Sequence, residues 1–285
     1  VVQMGMRDWY RNCAVCPRFC GVDRTAGEVG ECGLGTDLRV ASAQLHFGEE
    51  EVLVGRGGSG TLFLSSCNLN CLFCQNYEIS QFRVGKDISV RRGVQILLSL
   101  EARGAQNINF VSPTHLAPTI AEVIRLARKE GLALPVVYNS GGYDNPGLLR
   151  ELEGLVDIYM PDMKFSDPEI AEELAGVREY PKWNRAAVLE MHRQVGDLIT
   201  DSRGAARVGL MVRHLVLPDG LAGSREIFRF IARKISPKTY VNVMGQYHPA
   251  YRAETHPSLR RGLRRLEHEE ALAMAREEGL TRIVC

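Results

Sequence analysis

A parallel-sheet α/β fold is what this sequence predicts, on three observations. Six short apolar runs, at 61–65, 108–112, 134–138, 156–160, 208–212 and 240–244, read as strands. Between them lie stretches with apolar residues at helical spacing, at 90–103, 118–129, 146–152, 182–199 and 224–234. The third observation is the alternation itself, because parallel strands are joined by crossovers that are usually helical. Ser89 and Ser224 stand where N-caps belong, and Gly104 and Gly131 where helix-ending glycines belong. In such sheets, open or barrel-like, functional loops gather at the C-terminal ends of the strands.

The length of 285 residues, divided by about 150 per domain, gives about 1.9 and allows a large core. The expected division is a Cys-rich segment over 1–55 and an α/β unit over 56–285, ending in an outer helix at 259–278. Lys and Arg number 35 against 34 Asp and Glu, a net charge of +1. That balance gives no global field for polyanions, so neither nucleic acid nor an anionic membrane is an expected partner. No apolar run approaches the roughly 18 residues that span a bilayer, and no signal core is visible, so a cytoplasmic protein is expected. Eight cysteines in a reducing compartment point to metal or redox chemistry before disulfides.

Cys67, Cys71 and Cys74 directly follow the first predicted strand, at the end where chemistry gathers. Three thiolates can hold three corners of a cubane iron–sulfur cluster and leave one iron open to a ligand. A zinc site completed by a distant histidine, such as His115 or His248, is the alternative from spacing alone.

The C-x3-C-x2-C motif, with Phe73 before its third cysteine, resembles the signature of the radical S-adenosylmethionine superfamily. The resemblance covers about 61–251 and implies a partial (β/α)6 barrel, preceded here by a small metal-stabilised Cys-rich segment. It also implies a 4Fe-4S cluster on Cys67, Cys71 and Cys74, with S-adenosylmethionine on the open iron and Phe73 near its adenine. Closer features are similar to the pyruvate formate-lyase activating enzyme group, in an activase-like branch with an N-terminal Cys-rich block. Cys74-Gln75-Asn76 resembles the C-H-N that follows the cluster in activases, and Met160-Pro161-Asp162-Met163-Lys164 their M-x-D-x-K. Asn139-Ser140-Gly141-Gly142-Tyr143 stands where they carry D-T-N-G-F.

The cofactor contacts implied are therefore Asn76, Asn139, Ser140, Asp162 and Lys164, with Gly141 and Gly142 as a close backbone approach. Arg213 and Tyr247-His248 resemble further positions facing the cofactor. Where activases carry S-G-G-E for the methionyl amino group, this chain has Ser112-Pro113-Thr114-His115, so Ser112, Thr114 and His115 must form that pocket differently. By the same resemblance the partners are a one-electron donor, such as a flavodoxin or ferredoxin, and a protein whose glycine is the substrate.

Cys13, Cys16, Cys20 and Cys32 give C-x2-C-x3-C-x11-C, four soft ligands that would close a second metal site, either zinc or an auxiliary iron–sulfur cluster. Metal binding can add on the order of 10 kcal/mol to the folding of such a glycine-rich segment. Gly55-Arg56-Gly57-Gly58-Ser59-Gly60 precedes a strand and does not join a strand to a helix, so it reads as a turn and not a phosphate loop. Arg260, Arg261, Arg264 and Arg265 are followed by Glu267, Glu269 and Glu270, the pattern of a solvated helix face. His46, His192, His214, His256 and His268 have no ligand spacing, and the terminal Cys285 reads as free.

The expected activity is reductive cleavage of S-adenosylmethionine and hydrogen abstraction from a substrate. Two alternatives stand beside the glycyl-radical one: a radical enzyme acting on a small molecule or RNA, and a non-catalytic iron–sulfur or zinc protein for electron transfer or interaction. The strand-end set Asp162, Lys164, Arg213 and His248 has no use in the second.

Overall fold

The computed structural model describes residues 5–285, so residues 1–4 of the expected 1–55 segment lie outside it. Ten strands lie among the described residues: β1 (Leu38–His46), β2 (Ser59–Leu64), β3 (Lys86–Ile88), β4 (Ile108–Val111), β5 (Val136–Ser140), β6 (Ile158–Pro161), β7 (Ile199–Thr200), β8 (Ala206–Leu215), β9 (Tyr240–Met244) and β10 (Arg282–Val284). Nine α-helices lie among the described residues: α1 (Glu51–Val54), α2 (Tyr77–Ser80), α3 (Val90–Ala102), α4 (Ala117–Lys129), α5 (Pro146–Glu151), α6 (Pro168–Ala175), α7 (Tyr180–Val195), α8 (Ser224–Phe230) and α9 (Arg265–Glu277). The sheet order is β10-β9-β8-β6-β5-β4-β2-β1-β3, with β7 on β8. From β2 to β10 along this path every pairing is parallel, whereas β1 and β3 add antiparallel strands at one edge. This is the parallel α/β architecture that the alternation predicts and the partial barrel that the resemblance implies.

Register assigns the two faces. Leu62, Phe110, Tyr138 and Tyr159 share one face with Leu210 and pack under the helices. Val137, Ile158, Met160 and Met211 point to the other face and form a core inside the barrel. Leu53 of α1 is buried in that inner core. The connection between β1 and β2 thus plugs the bore, and Asn107 Nδ2 donates to the Leu53 carbonyl at 2.7 Å to hold it.

Helix starts follow local chemistry. Ser89 caps α3 by accepting from Arg92 N, Asn145 caps α5, and Asp167 caps α6 by accepting from Glu169 N and Ile170 N. Several boundaries differ from the sequence reading. β5 begins two residues later than expected because Pro135 has no N–H, and it continues through Ser140, which pairs with Pro161. α7 ends at Val195, before Gly196 with its φ of 67°, and the residues up to Ile199 leave the helix. The helix expected over 259–278 starts only at Arg265. Ser224 is not an N-cap, which is Gly223; its hydroxyl instead meets His214 Nε2 at 2.9 Å. β1, from within the expected Cys-rich segment, joins the main sheet through β2.

His214 ties β8 to α8. The Met163 carbonyl 2.7 Å from its Nδ1 can only accept, so Nδ1 carries the proton and Nε2 accepts from Ser224. Burial pulls its pKa down to about 4, against the opposing pull of that carbonyl. The folded value lies below the unfolded value of about 6.5, so the neutral ring stabilises the fold fully above about pH 6.5 and loses that contribution as pH falls toward about 4. In urea unfolding, His214→Asn should show a shallower loss of stability across that window than the parent; equal slopes would contradict the assignment. At Gly209, φ is 127° and a Cβ would strike the Leu198 backbone. Gly209→Ala should cost on the order of 2 kcal/mol or more, read as a lower urea midpoint.

Candidate functional site

Every element of the site sits at the C-terminal ends of the parallel strands. The loop 65–76 leaves β2, Ser112 follows β4, Asn139 and Ser140 end β5, Asp162 follows β6, and Arg213 lies near the end of β8. Cys67, Cys71 and Cys74 line one cavity of about 130 Å³ together with Ser112, Asn139, Ser140, Gly141 and Asn76. A second cavity of about 240 Å³ adjoins it and shares Cys71, Cys74, Asn76, Asp162, Lys164 and Arg213, with Phe73 on its wall.

The cysteine loop is anchored by its backbone. Asn70 N and Leu72 N donate to the Ala175 and Leu174 carbonyls, which end α6 and have no partner within the helix. Arg252 N donates to the Leu72 carbonyl. The Cys-rich N-terminal segment holds the other side. Ser66, in the left-handed region at φ 73°, donates from Oγ to the Cys32 carbonyl at 2.5 Å. Arg18 reaches the Asn68 and Gly176 carbonyls at 2.9 and 3.0 Å, and Asn68 Nδ2 donates to the Tyr143 carbonyl at 2.7 Å. Leu69 N points at Cys67 Sγ at 3.4 Å, and Cys74 Sγ lies 3.1 Å from Ser80 Oγ.

The charges form one largely buried group. Asp162 Oδ2 accepts from Lys164 Nζ at 2.5 Å and Oδ1 from Arg213 Nε at 3.1 Å. Arg213 Nη2 donates to Asn139 Oδ1 at 2.7 Å, and Nη1 lies 3.6 Å from Glu49 Oε1. Burial alone would raise the Asp162 pKa, but the two cations outweigh it and hold the carboxyl below its usual value. For Lys164 burial works downward, and Asp162 overrides it to hold the ammonium above its usual range. Burial pushes the Cys67 thiol up to about 11 and the Cys71 thiol to about 12.

The expected contact residues fall into two sets. Phe73, Asn76, Ser112, Asn139, Ser140, Gly141, Asp162, Lys164 and Arg213 line the two cavities. Four others are turned elsewhere. Thr114 Oγ1 donates to Asp144 at 2.7 Å, and His115 Nε2 lies 2.9 Å from the Ser65 carbonyl in full burial. Gly142, at φ 77°, is required by the Asp162 carbonyl and Asn184, which a Cβ would strike. His248 is exposed and its ring lies 3.2 Å from Gln75 Nε2. Of the second cysteine set, Cys13, Cys16 and Cys32 are buried and Cys20 is half-buried. Burial pushes the Cys16 thiol up to about 12. Among the described residues, no three His, Cys, Asp or Glu side chains converge closely enough to hold a single ion.

Two features escaped the sequence reading. Asp144 is a buried hub that accepts from Thr114, Tyr138 and Ser140 and so locks the ends of β4 and β5. Glu49, on the plug, accepts from Asn109 Nδ2 and Asn139 Nδ2 at 2.9 and 3.2 Å and faces Arg213. Glu50 beside it accepts from Asn242 Nδ2. The run Glu49-Glu50-Glu51 before an apolar Val-Leu-Val was the available signal.

A family model described as the Radical SAM superfamily matches residues 61–209. An uncharacterized protein of Methanocaldococcus jannaschii is 32% identical over 280 residues, covering 95% of this chain and 76% of its own. The chain belongs to the Radical SAM superfamily, and is an enzyme of that type, whose chemistry uses an iron–sulfur cluster and S-adenosylmethionine. Among solved structures, a radical SAM methyltransferase from Sphaerobacter thermophilus is similar in fold at a TM-score of 0.54 and 15% identity, over 79% of this chain and 65% of that one. The FeFe-hydrogenase maturase HydG from Carboxydothermus hydrogenoformans is similar at 0.52 and 16% identity, over 77% of this chain and 51% of that one. This chain therefore spans somewhat under two thirds of the first and about half of the second.

The residues present fit a cluster and its ligand. Three thiols, with no carboxylate of their own loop beside them, share a cavity whose other wall carries both charges and amide groups. Leu69 N already points at one of those sulfurs, the kind of contact that favours thiolate. Glu49→Ala should destabilise the protein by about 1–3 kcal/mol, because it leaves two buried amide donors without an acceptor. Glu51→Ala, at the exposed neighbour, should stay within about 0.5 kcal/mol, and equal losses in thermal unfolding would contradict the plug.

Proposed function

We propose that this protein cleaves S-adenosylmethionine reductively at a 4Fe-4S cluster held by Cys67, Cys71 and Cys74, and takes a hydrogen atom from a substrate at the barrel mouth. One observation carries this reading: the three thiols and the Asp162, Lys164 and Arg213 group line the same strand-end cavity. Held by Cys67, Cys71 and Cys74, a 4Fe-4S cluster would supply the one-electron reduction that breaks the sulfonium C–S bond to give methionine and a 5′-deoxyadenosyl radical, the species that takes the hydrogen atom. The chain's own residues bind and orient. Lys164 uses one donor on Asp162 and keeps others for a carboxylate. Asn139 and Ser140 offer polar groups at the end of β5. Phe73, flanked by Phe165 and Tyr247 at ring distances of 6.1 Å, gives an apolar wall that excludes water.

Resemblance to the pyruvate formate-lyase activating enzymes supports a glycine of a partner protein as substrate, with a flavodoxin or ferredoxin as electron donor. The Ser112 to His115 turn, which replaces the activase S-G-G-E, leaves a different peptide or a small molecule as the second reading. Cys13, Cys16, Cys20 and Cys32 are read as a second metal site, zinc or iron–sulfur, on their four soft donors. A cytoplasmic setting goes with both, since free thiolates need a reducing compartment.

Protein reconstituted without oxygen and supplied with dithionite should convert S-adenosylmethionine to equal amounts of methionine and 5′-deoxyadenosine. Cys71→Ala should abolish both products, and Lys164→Met should raise KM for S-adenosylmethionine by about tenfold, on the order of the 1.4 kcal/mol of one charge-assisted hydrogen bond. No 5′-deoxyadenosine from protein loaded with iron and sulfide would overturn the reading.

A further inference from the structure

Arg24 lies 2% exposed inside the Cys-rich segment, and its polar contacts are with uncharged groups. Nε and Nη2 donate to the Gly35 carbonyl at 3.2 and 2.5 Å, and Nη1 donates to the His115 carbonyl at 2.8 Å. The guanidinium carbon sits 4.4 Å over the Tyr10 ring. Nη1 also points at Cys13 Sγ at 3.9 Å. The titratable groups facing it are Tyr10, Cys32, Cys13 and His115, and none of them is a carboxylate. A guanidinium cannot shed its proton, and burying one without a counter-charge is strongly unfavourable. Four neutral thiols supply no such charge. Four thiolates around a divalent metal or an iron–sulfur cluster do, because such centres keep net negative charge after the thiol protons have left for solvent.

We propose that Cys13, Cys16, Cys20 and Cys32 bind an iron–sulfur cluster as thiolates, the multinuclear form of the second metal site, and that Arg24 is its buried counter-ion. This rests on the second-metal reading above and adds the group that selects the anionic, metal-bound form. A second observation bears on the ligand set. Gly30 lies directly under Cys20, where a Cβ would come within 2.8 Å of Cys20 Sγ, so the backbone makes a cradle that only glycine leaves open for that sulfur. Arg24 acts through the ligands and is a positioning residue, not a ligand itself. Its contact with the His115 carbonyl, just after β4, also ties the centre to the strand ends of the barrel.

The test starts from the variant Cys67→Ala/Cys71→Ala/Cys74→Ala, which removes the first cluster and leaves the second set intact. After anaerobic purification and reconstitution, elemental analysis should find about four iron per chain, and zinc in place of iron would overturn the cluster. Arg24→Met in that background should lose metal to a chelator at about tenfold lower chelator concentration, whereas Arg24→Lys should keep most of it. If the Met variant retains metal as the parent does, the counter-ion role is overturned and the metal site stands. If the triple variant holds no metal while the parent holds about four iron, the second-metal reading fails and the radical cluster is untouched. Where Arg24→Met yields no folded protein, Arg24→Lys decides: retained metal supports the charge, and metal lost with the charge still present overturns it.

Discussion

The Arg213 guanidinium is the contact on which the site depends. It is a largely buried cation on β8, and it is held from three directions, by Asp162 after β6, by Asn139 on β5 and by Glu49 on the plug. A buried ion of this kind is tolerated only when its partners arrive together, and removing one partner of a buried pair costs several kcal/mol. The parallel register makes that arrival simultaneous, because Asn139 pairs with Met160, while Asp162 and Arg213 bridge directly. The cavity walls are therefore fixed by the sheet, and the catalytic loops add to a rigid frame.

The second constraint is on the cysteine loop, which has no secondary structure of its own over Cys67 to Cys74. Its backbone partners come from the end of α6 on one side and from the Cys-rich segment on the other. Ser66 holds an unfavourable left-handed conformation, and its hydroxyl on the Cys32 carbonyl is what secures it. The two cysteine sets are thereby neighbours in space although more than thirty residues separate Cys32 from Cys67 in sequence. Whatever orders the N-terminal set also orders the loop that carries Cys67, Cys71 and Cys74.

Periodicity and local spacing made the frame legible. Six of the seven parallel strands, the helices between them and the three-cysteine loop are all encoded within windows of about a dozen residues. β1 was missed because its outer half alternates with exposed residues such as Gln44 and lies in a segment that reads as glycine-rich loop. Glu49 is not legible because its partners Asn109, Asn139 and Arg213 lie far away in sequence, and Asp144 because no local pattern marks a carboxylate that will be buried. The outward turn of His248 and the burial of Thr114 and His115 against Asp144 and Ser65 are likewise tertiary facts. Resemblance placed these residues at the right strand ends; only side-chain direction separates those that line the cavity from those that brace it.

The central claim is that the three-cysteine site holds a cluster with one iron open to S-adenosylmethionine. Electron paramagnetic resonance of the anaerobically reduced protein tests it most directly. The reduced protein should show a 4Fe-4S signal that shifts when S-adenosylmethionine is added, and this responsive signal should be absent from Cys67→Ala/Cys71→Ala/Cys74→Ala. A reduced cluster whose spectrum is unchanged by saturating S-adenosylmethionine would contradict it.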